Sequence, residues 1–493
     1  MKKYIFSLMI AVAAATGCKD FLTEAPVLSQ SDELTMSDFK GLDKATAGAY
    51  APLAANSWYG GNFILMNELK TANGKKYIGS TFDTGRLTDY YNMNYSEDRT
   101  SGIWSYAYYV ISVTNNVLAN IEGKSTDQKA VDNLKAECLF LRAFCHFDLV
   151  RTYAQPYSYT EDVSHDGVPV VITVQTALDK PYRASVADVY KQIEEDLLAA
   201  ENLISPDYAR SAAKDSRAVV SIYAIQALLS RLYLYEGRWQ DSADYATKVI
   251  DSKKFRMWTP KELTFVSDGN ESQIAELYET FAYSKDSQSD GEVIFEVYSA
   301  NGQSYGGGNE GICSMTSQNK YGDGGVSKDL MDLYSSDDVR GTLFQHALSD
   351  KDNRVVYWTA KYFGKGMSNP DYCNAVILRL SEMYLNRAEA LYHGAKITGA
   401  SVASDLKTIE ENRNADVITN PSLNDIYTER TKELAWEGHE WFDLGRTKRD
   451  MTRNDFEGAA DAKTCKAGSY KWAMPIPRSE HIVNENLSHN PGY

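Results

Sequence analysis

Residues 131–153, VDNLKAECLFLRAFCHFDLVRTY, carry the clearest helical pattern in the chain. Small or apolar side chains recur every three or four residues and share one face: Leu134, Cys138, Leu141, Cys145 and Leu149. Three phenylalanines widen that face: Phe140, Phe144 and Phe147. The pattern therefore predicts a helix that is buried on more than one side.

Helical patterns also flank this stretch. Before it, a 4-3-4-3 spacing places five side chains on one stripe: Trp104, Tyr108, Ile111, Asn115 and Leu118. After it, Ser185 is the predicted N-cap of a helix. Further helices are predicted at residues 34–54, 217–237, 239–250, 375–394, 403–414 and 423–441. The pair 227–237 and 239–250 resembles a tetratricopeptide hairpin, because small residues lie where the helices would cross and Gly237 lies at the turn.

Two long segments interrupt the helical pattern, at residues 56–99 and 255–371. Within the second, residues 292–298 and 355–363 have the pattern of strands. Segments of this length without periodicity are usually functional or disordered. Their aromatic content argues against disorder, so we interpret them as loops that carry function.

The chain is rich in tyrosine and tryptophan, with 34 Tyr and 8 Trp, and many of them lie in these loops. A sugar presents a C–H face that stacks on such rings and hydroxyl groups that bond polar side chains. The candidate ligand-binding residues are Trp58, Tyr59, Tyr77, Arg86, Tyr90 and Tyr91 in the first segment, and Tyr283, Tyr305, Asn309 and Tyr321 in the second. The alternative for each ring is that it fills a gap where a loop packs on the helices.

The N-terminus has the features of an export signal. Lys2 and Lys3 precede an apolar or small run that is too short to span a bilayer permanently. Small residues then lead into Cys18, and this ending resembles a bacterial lipoprotein signal. We expect residues 1–17 to be removed, Cys18 to carry acyl chains in the outer membrane, and residues 18–32 to form a tether. The alternative is ordinary cleavage beside an incidental cysteine.

The net charge and the cysteine count exclude some classes of partner and of covalent structure. The formal net charge is −16, which argues against binding nucleic acid or anionic lipid headgroups through the body of the protein. Five cysteines besides Cys18 are an odd number, so a complete disulfide framework is not implied. Cys138 and Cys145 are interpreted as small buried apolar residues. Cys465 has no assigned role, and a bridge between Cys313 and Cys373 is left open.

Motifs for catalysis and metal binding are weak. Residues 302–306 match the serine-hydrolase pattern G-x-S-x-G, but the glycine-rich run that follows cannot begin a stable helix, which favours a chance match. Residues 286–292 faintly resemble a calcium loop without its ligand pattern. No histidine pair has helical ligand spacing. We therefore expect no metal and no cofactor.

A charged cluster near the C-terminus has two interpretations. Its members are Arg430, Glu433, Glu437, Asp443 and Arg446, and the glutamates at 429, 433 and 437 would share one helix face. It could be an active site or a structural ion-pair network. We favour the network, because charge pairs four residues apart are common on helices and polar groups buried between helices must be paired.

Several segments together resemble the SusD/RagB family of surface lipoproteins. They follow the family's order along the chain: CKDFLTEAP at 18–26, Trp104–Asn115, AECLFLRAF at 136–144, VPV at 168–170, ERTKELAWEGHEWFDLGR at 429–446, PIP at 475–477 and NPGY at 490–493. The resemblance implies an all-α dominated fold with about four tetratricopeptide-like hairpins, and irregular loops with a few short strands packed on one side.

The resemblance also implies one SusD-like domain at residues 33–493. Its scaffold would comprise residues 33–55, 101–153, 185–251 and 375–447, with variable ligand-binding loops at 56–100 and 255–372. Members of the family act as an extracellular lid on a SusC-like TonB-dependent outer-membrane transporter, to which they deliver oligosaccharides or peptides. The expected function is thus capture without catalysis. The alternative is a surface-anchored glycoside hydrolase, which needs two carboxylates about 5–10 Å apart in a cleft.

Overall fold

Packed α-helices form the body of the protein in a computed structural model, which describes residues 36–210, 217–267, 270–284, 291–300, 305–366 and 371–493. The predicted signal peptide, Cys18 and the tether at 18–32 lie outside the described residues. Residues 302–304 of the G-x-S-x-G match and residues 286–290 of the acidic turn also lie outside them.

The regular elements are numbered in chain order. The α-helices are α1 Phe39–Ala49, α2 Asn62–Leu69, α3 Thr88–Tyr91, α4 Ile103–Asn120, α5 Gln128–Tyr153, α6 Val186–Leu203, α7 Ile222–Glu236, α8 Trp239–Asp251, α9 Pro260–Leu263, α10 Glu271–Thr280, α11 Ile312–Met315, α12 Lys328–Met331, α13 Leu380–Tyr392, α14 Val402–Glu411, α15 Leu423–Leu434, α16 Glu440–Arg446 and α17 Arg478–Val483. The strands are β1 Gly74–Lys75, β2 Val293–Val297, β3 Gly325–Val326, β4 Phe344–Leu348, β5 Val355–Thr359, β6 Ala375–Arg379, β7 Met451–Thr452 and β8 Thr464–Cys465. They form antiparallel pairs β1–β3, β2–β6, β4–β5 and β7–β8.

The long helices pack one on the next along the scaffold. Helix α5 lies between α4 and α6, α7 packs on α6 and α8, and α13 packs on α8, α14 and α15. This succession of helix pairs is the tetratricopeptide-like architecture, so the predicted fold class is confirmed. The predicted hairpin is present at α7 and α8, where Gly237 ends α7 with a φ of 72° and the Arg238 N–H donates to the Tyr233 carbonyl at 2.9 Å.

Helix α5 is buried along most of its length, as its sequence predicts. Asp127 caps its N-terminus by accepting from the Ala130 N–H at 3.2 Å. Buried charged side chains of this helix are paired: Arg142 reaches across to Asp196 on α6, with Nη2 and Oδ1 2.6 Å apart. Such pairing is required because an unpaired charge inside the scaffold would cost several kcal/mol.

Residues 375–394, predicted as one helix, divide into a strand and a helix. Residues 375–379 form β6, and the helix α13 begins only at Leu380. Strand β6 pairs with β2, and every residue of both strands is buried. A short apolar run such as AVILR fits a buried strand and a buried helix equally well, so only the tertiary partner decides between them.

The predicted helix at 423–441 is also interrupted. Helix α15 ends at Leu434, and the chain turns through Trp436 and Gly438, which have φ of 63° and 80°, before α16 begins. Left-handed backbone at both positions breaks the helical path. The predicted helix at 34–54 is shorter as well, because Asp38 caps α1 by accepting from the Gly41 N–H at 2.7 Å.

Candidate functional site

The two irregular segments meet at a surface centred on Arg86 and Tyr321. The Arg86 guanidinium carbon lies 4.0 Å from the centre of the Tyr321 ring, which is a cation–π contact. Arg86 Nε also lies 3.5 Å from Glu310 Oε1. The side chains of Arg86 and Glu310 are 37% and 67% exposed, so both are available to a ligand.

The backbone around Tyr321 is held by contacts with the first segment. Strands β1 and β3 pair Gly74 with Val326, which ties the segments together. Between them, the Lys76 ammonium forms a buried ion pair with Asp323, and Asp323 also accepts from the Thr84 N–H at 3.1 Å. These contacts place residue 84, close before Arg86, and residue 323, close after Tyr321, against each other.

The loop at residues 305–312 is fixed independently. The Ile312 N–H donates to the Gly60 carbonyl at 2.8 Å, and the Asn56 amide donates to the Gly307 carbonyl at 3.2 Å. Gly307 has a φ of 73°, and a Cβ at this position would lie 2.2 Å from the Tyr372 ring. Only glycine therefore allows Tyr372 to pack on this loop.

A disulfide bridge joins the foot of this loop to the chain beside Tyr372. It links Cys313 to Cys373, the pair that the sequence left open. Cys138, Cys145 and Cys465 are free and buried, as expected for apolar cysteines at the first two positions. The bridge and the hydrogen bonds hold Tyr305, whose ring packs edge-on against Tyr106 of α4 with centroids 5.7 Å apart.

These contacts define what we call the Arg86–Tyr321 surface. Its members are partly or fully exposed: Arg86, Tyr305, Asn309, Glu310, Tyr321 and Tyr372. It combines flat aromatic faces with a guanidinium, a carboxylate and an amide. Such a combination can stack a sugar ring and bond its hydroxyl groups, and no step of covalent chemistry is needed for it.

Four of the ten predicted ligand-binding residues lie on this surface: Arg86, Tyr305, Asn309 and Tyr321. Glu310 and Tyr372 were not predicted. Glu310 directly follows Asn309 in a polar, glycine-rich loop, and this position could have identified it as a candidate ligand-binding residue. Tyr372 had no comparable signal, because its position depends on the Cys313–Cys373 bridge.

Four other predicted residues are packing residues in this structure, because their rings have almost no surface to offer a ligand. Trp58 and Tyr59 stack on Phe144 of α5, and the Trp58 indole N–H donates to Asp148 Oδ2 at 2.8 Å. Tyr91 is fully buried beside Phe456. Tyr77 is buried and donates its hydroxyl to the Val326 carbonyl at 2.9 Å.

The remaining two predicted residues are half-buried. Tyr90 packs against the main core, and its hydroxyl lies 3.5 Å from the Thr100 carbonyl. Tyr283 donates its hydroxyl to Glu437 Oε1 at 3.1 Å and stands edge-on to Trp258. Both rings fill gaps between a loop and the helices, which is the alternative that the sequence left open for each of them.

Two members of the charged cluster near the C-terminus, Glu433 and Glu437, belong to a buried charge network. Among the described residues it joins five cations to five acids: Arg340, Lys361, Arg379, Arg413 and Lys432 with Glu292, Asp338, Glu429, Glu433 and Glu437. Glu429 and Glu433 lie on α15, whereas Glu437 lies in the turn after it, so the three acids do not share one helix. The network connects α15 to residues of the second irregular segment.

Glu433 is the centre of this network. Arg413 donates to it through Nη2 at 2.7 Å and Nε at 3.0 Å, Arg340 donates at 2.8 Å, and Arg379 donates to the same carboxylate. Burial alone would raise its pKa, but the guanidinium groups of Arg413, Arg379 and Arg340 hold the pKa of Glu433 well below its usual range. A carboxylate held ionised in this way does not suit the role of a general acid.

Asp443, Arg430 and Arg446 form a second buried group. Asp443 accepts from Nε of Arg430 and from Nε of Arg446, both at 2.7 Å. Arg446 also holds Glu389 through two hydrogen bonds of 2.6 and 2.7 Å. Burial raises the pKa of Asp443, but Arg430 and Arg446 lower it below the ordinary value, so this acid is also locked in its charged form.

None of the helices in the described part of the chain combines the length and the apolar character that a membrane crossing requires.

Comparisons with known proteins agree with one another. A family model described as "Starch-binding associating with outer membrane" matches residues 20–234, and a model of the SusD family matches residues 351–493. The chain is 25% identical to SusD-like protein P2 of Formosa agariphila, with all of both chains covered. It is 30% identical to starch-binding protein SusD of Bacteroides thetaiotaomicron over 28% of this chain and 26% of that protein.

The fold comparison gives the same result. The crystal structure of a SusD superfamily protein from Bacteroides thetaiotaomicron superimposes with a TM-score of 0.78 at 27% identity, over 92% of this chain and all of that one. A SusD superfamily protein from Bacteroides vulgatus superimposes with a TM-score of 0.77 at 25% identity, over 92% and 99% of the two chains.

Proposed function

Because this chain belongs to the SusD family, we propose that it binds glycans at the cell surface and delivers them, uncut, to a SusC-like TonB-dependent transporter in the outer membrane. The observation that carries the glycan-binding part is the Arg86–Tyr321 surface. There, an exposed guanidinium lies on one face of a half-exposed tyrosine, and a carboxylate, an amide and two further tyrosines belong to the same held loops.

The surface suits capture followed by release. Its side chains are partly or fully exposed, so a bound sugar would keep much of its hydration and would bind in the micromolar range, at roughly −8 kcal/mol or weaker. Stacking on Tyr305 or Tyr321 would remove water from one sugar face only. An affinity of this order retains the ligand at the cell surface and still allows its transfer to a transporter.

The anchoring part of the proposal rests on Cys18. We propose that the mature chain begins at this residue and is held in the outer membrane by acyl chains on it, since each buried methylene contributes about 0.8 kcal/mol. The family description supports association with the outer membrane. The body of the protein would then lie at the extracellular face, as a lid over the transporter.

Catalysis is not part of the proposal. The acids of the C-terminal cluster are paired with arginine or lysine, and the pKa of Glu433, Glu437 and Asp443 is lowered, which does not suit a general acid. Incubation of the purified protein with the glycans that it binds, followed by chromatography of the products, tests this point. Turnover at enzymatic rates would favour the glycoside hydrolase instead.

The binding test uses the chain from residue 19 onward on a glycan array, followed by calorimetric titration of the best glycan. We expect Arg86→Ala and Tyr321→Ala to weaken binding about five- to thirtyfold, because each removes a stacking or hydrogen-bonding partner worth roughly 1–2 kcal/mol. Tyr109→Ala is the matched control, because this tyrosine is 56% exposed on α4 outside the surface. Unchanged affinity in both site variants would refute the assignment of the surface.

The transporter test uses the full-length protein in its own membrane. Mild detergent extraction of the outer membrane should co-purify the chain with a large TonB-dependent transporter. A Cys18→Ala variant should lose both the membrane association and the transporter. Recovery of the wild-type chain alone would count against the lid role without affecting the glycan-binding result.

A further inference from the structure

Three potential metal ligands converge between the end of the first irregular segment and the C-terminal tail. Glu97, His481 on α17 and His489 each offer one ligand atom, and these atoms lie within 4.8 Å of one another. His489 Nδ1 contacts Glu97 Oε1, and His481 Nε2 lies 3.6 Å from the same oxygen. The two imidazole rings stack with their centroids 3.9 Å apart.

One ring nitrogen in this group has no partner. The His481 side chain is only 11% exposed, and its Nε2 is shielded from solvent without making a hydrogen bond. A buried polar atom without a partner is uncommon and costs free energy, so it indicates a group that is missing from the protein alone. The atom that Nε2 approaches is the Glu97 carboxylate oxygen, which is itself a metal ligand type.

The local charges leave the group available to a cation. Arg478 is a competing cation, and its Nη1 lies 3.7 Å from Glu97 Oε2. Its Nε is engaged by Asp98 Oδ1 at 2.8 Å, which leaves Glu97 Oε1 to the histidines.

We propose that Glu97, His481 and His489 form a binding site for a divalent transition metal ion of the zinc class. Two imidazoles and one carboxylate are a common zinc ligand set, and they leave a fourth position for water. A surface cleft lined by Glu97 and Arg478 adjoins the group, and the His489 side chain is 56% exposed, so a hydrated ion can approach from solvent. The histidines lie eight residues apart, which is why their spacing does not reveal the site in the sequence.

A metal ion at this site would join the C-terminal tail to the body of the protein. The tail already returns to the scaffold through Asn490, whose amide donates to the carbonyls of Tyr153 and Met474 at 2.7 Å. The Arg478 N–H donates to the Glu97 carbonyl at 3.0 Å. The ion would add a cross-link between residue 97 and two points of the tail, and it would stabilise the folded protein by binding it in preference to the unfolded chain.

The experiment uses the untagged chain from residue 19, because a histidine tag would bind the same ions. After chelator treatment the protein is dialysed against zinc chloride at graded free concentrations, and bound zinc is measured by mass spectrometry. We expect one zinc ion per chain. The affinity should be at least about tenfold weaker in Glu97→Gln, His481→Gln and His489→Gln, because even the mutation of a residue that hydrogen-bonds a metal ligand lowers metal affinity by about this factor. Zinc should also raise the Tm of the wild type and not that of the variants.

The matched control is His346→Gln, because His346 is exposed on β4 and is not a member of this group. This variant should bind zinc like the wild type. His489 is exposed, so its replacement leaves the core intact even if His481→Gln folds poorly. Less than 0.1 zinc ion per chain, or equal binding by the His489→Gln variant, would overturn the proposal.

Discussion

Replacement of Glu433 by glutamine tests whether the buried charge network holds the loops to the scaffold. Glutamine keeps the shape of the side chain but removes the negative charge that faces Arg340, Arg379 and Arg413. It also turns an NH₂ group toward guanidinium donors, so part of the hydrogen bonding is lost. In the wild type, five cations and five acids balance among the described members of the network, and the variant leaves one positive charge in excess.

The structure sets the size of the effect. The side chains of Glu433 and its three arginine partners are at most 3% exposed, so water cannot compensate for the lost charge. Removing one partner of such a buried group costs about 3–5 kcal/mol. Unfolding entropy is about 2.1 cal/mol/K per residue, or about 1 kcal/mol/K for this chain, so Tm should fall by only about 3–5 °C.

Differential scanning calorimetry measures this shift. The matched control is Glu411→Gln, which removes an exposed carboxylate whose partner Lys407 lies 3.5 Å away, and it should change stability by less than about 0.5 kcal/mol. A Tm of Glu433→Gln within 1 °C of the wild type would refute the reasoning. The arginines would then be compensated without Glu433.

The pH dependence of stability gives a second test of the same variant. The folded-state pKa of Glu433 is lowered, so the carboxylate stabilises the protein above the ordinary pKa of 4.5, and this contribution is lost as pH falls through the folded-state pKa. The stability difference between the wild type and Glu433→Gln should therefore be constant from pH 5 to 7 and shrink below about pH 4.5. A difference that grew on acidification would contradict this sign.

Three further outcomes follow from single side chains. Burial raises the pKa of Glu68 to about 7, so ionisation of this carboxyl destabilises the folded protein as pH rises from 4.5 to above 7. Urea denaturation should show that the free energy of unfolding of the wild type falls by about 2–3 kcal/mol relative to that of Glu68→Gln across this range. Gly307→Ala should displace Tyr372 and weaken glycan binding severalfold in calorimetric titration, whereas unchanged binding would show that this ring is not part of the site. Gly237→Ala should lower stability by about 1–2 kcal/mol without changing glycan affinity, because its φ of 72° is strained for alanine and the turn lies in the scaffold.

Sequence periodicity predicts the scaffold because its long helices keep one face toward their neighbours. The pattern at 131–153 and the turn at Gly237 are examples, and both are present in the structure. Helix α2 was missed because every side chain from Phe63 to Leu69 is buried, so no polar face marks a period. Strand β6 was missed because its partner β2 lies about 80 residues away in sequence and leaves no local sign.

The candidate site was predicted only in part, for a different reason. Composition identifies loops rich in tyrosine, but it does not say which way a ring faces. Trp58 and Tyr321 have similar local surroundings in sequence, yet one fills the core beside Phe144 and the other lies under Arg86 at the surface. That distinction is made by contacts between distant segments, such as the pairing of β1 with β3.

The bridge between Cys313 and Cys373 makes completion of the binding loop depend on the redox environment. Thiols stay reduced in the bacterial cytoplasm and are oxidised after export, so a chain that has not left the cytoplasm would hold this loop by hydrogen bonds alone. On the proposed route to the cell surface, the bridge would close only after the chain leaves the reducing cytoplasm. Material produced in a reducing host and material secreted through an oxidising one should accordingly differ in free thiol content and in the order of residues 305–312.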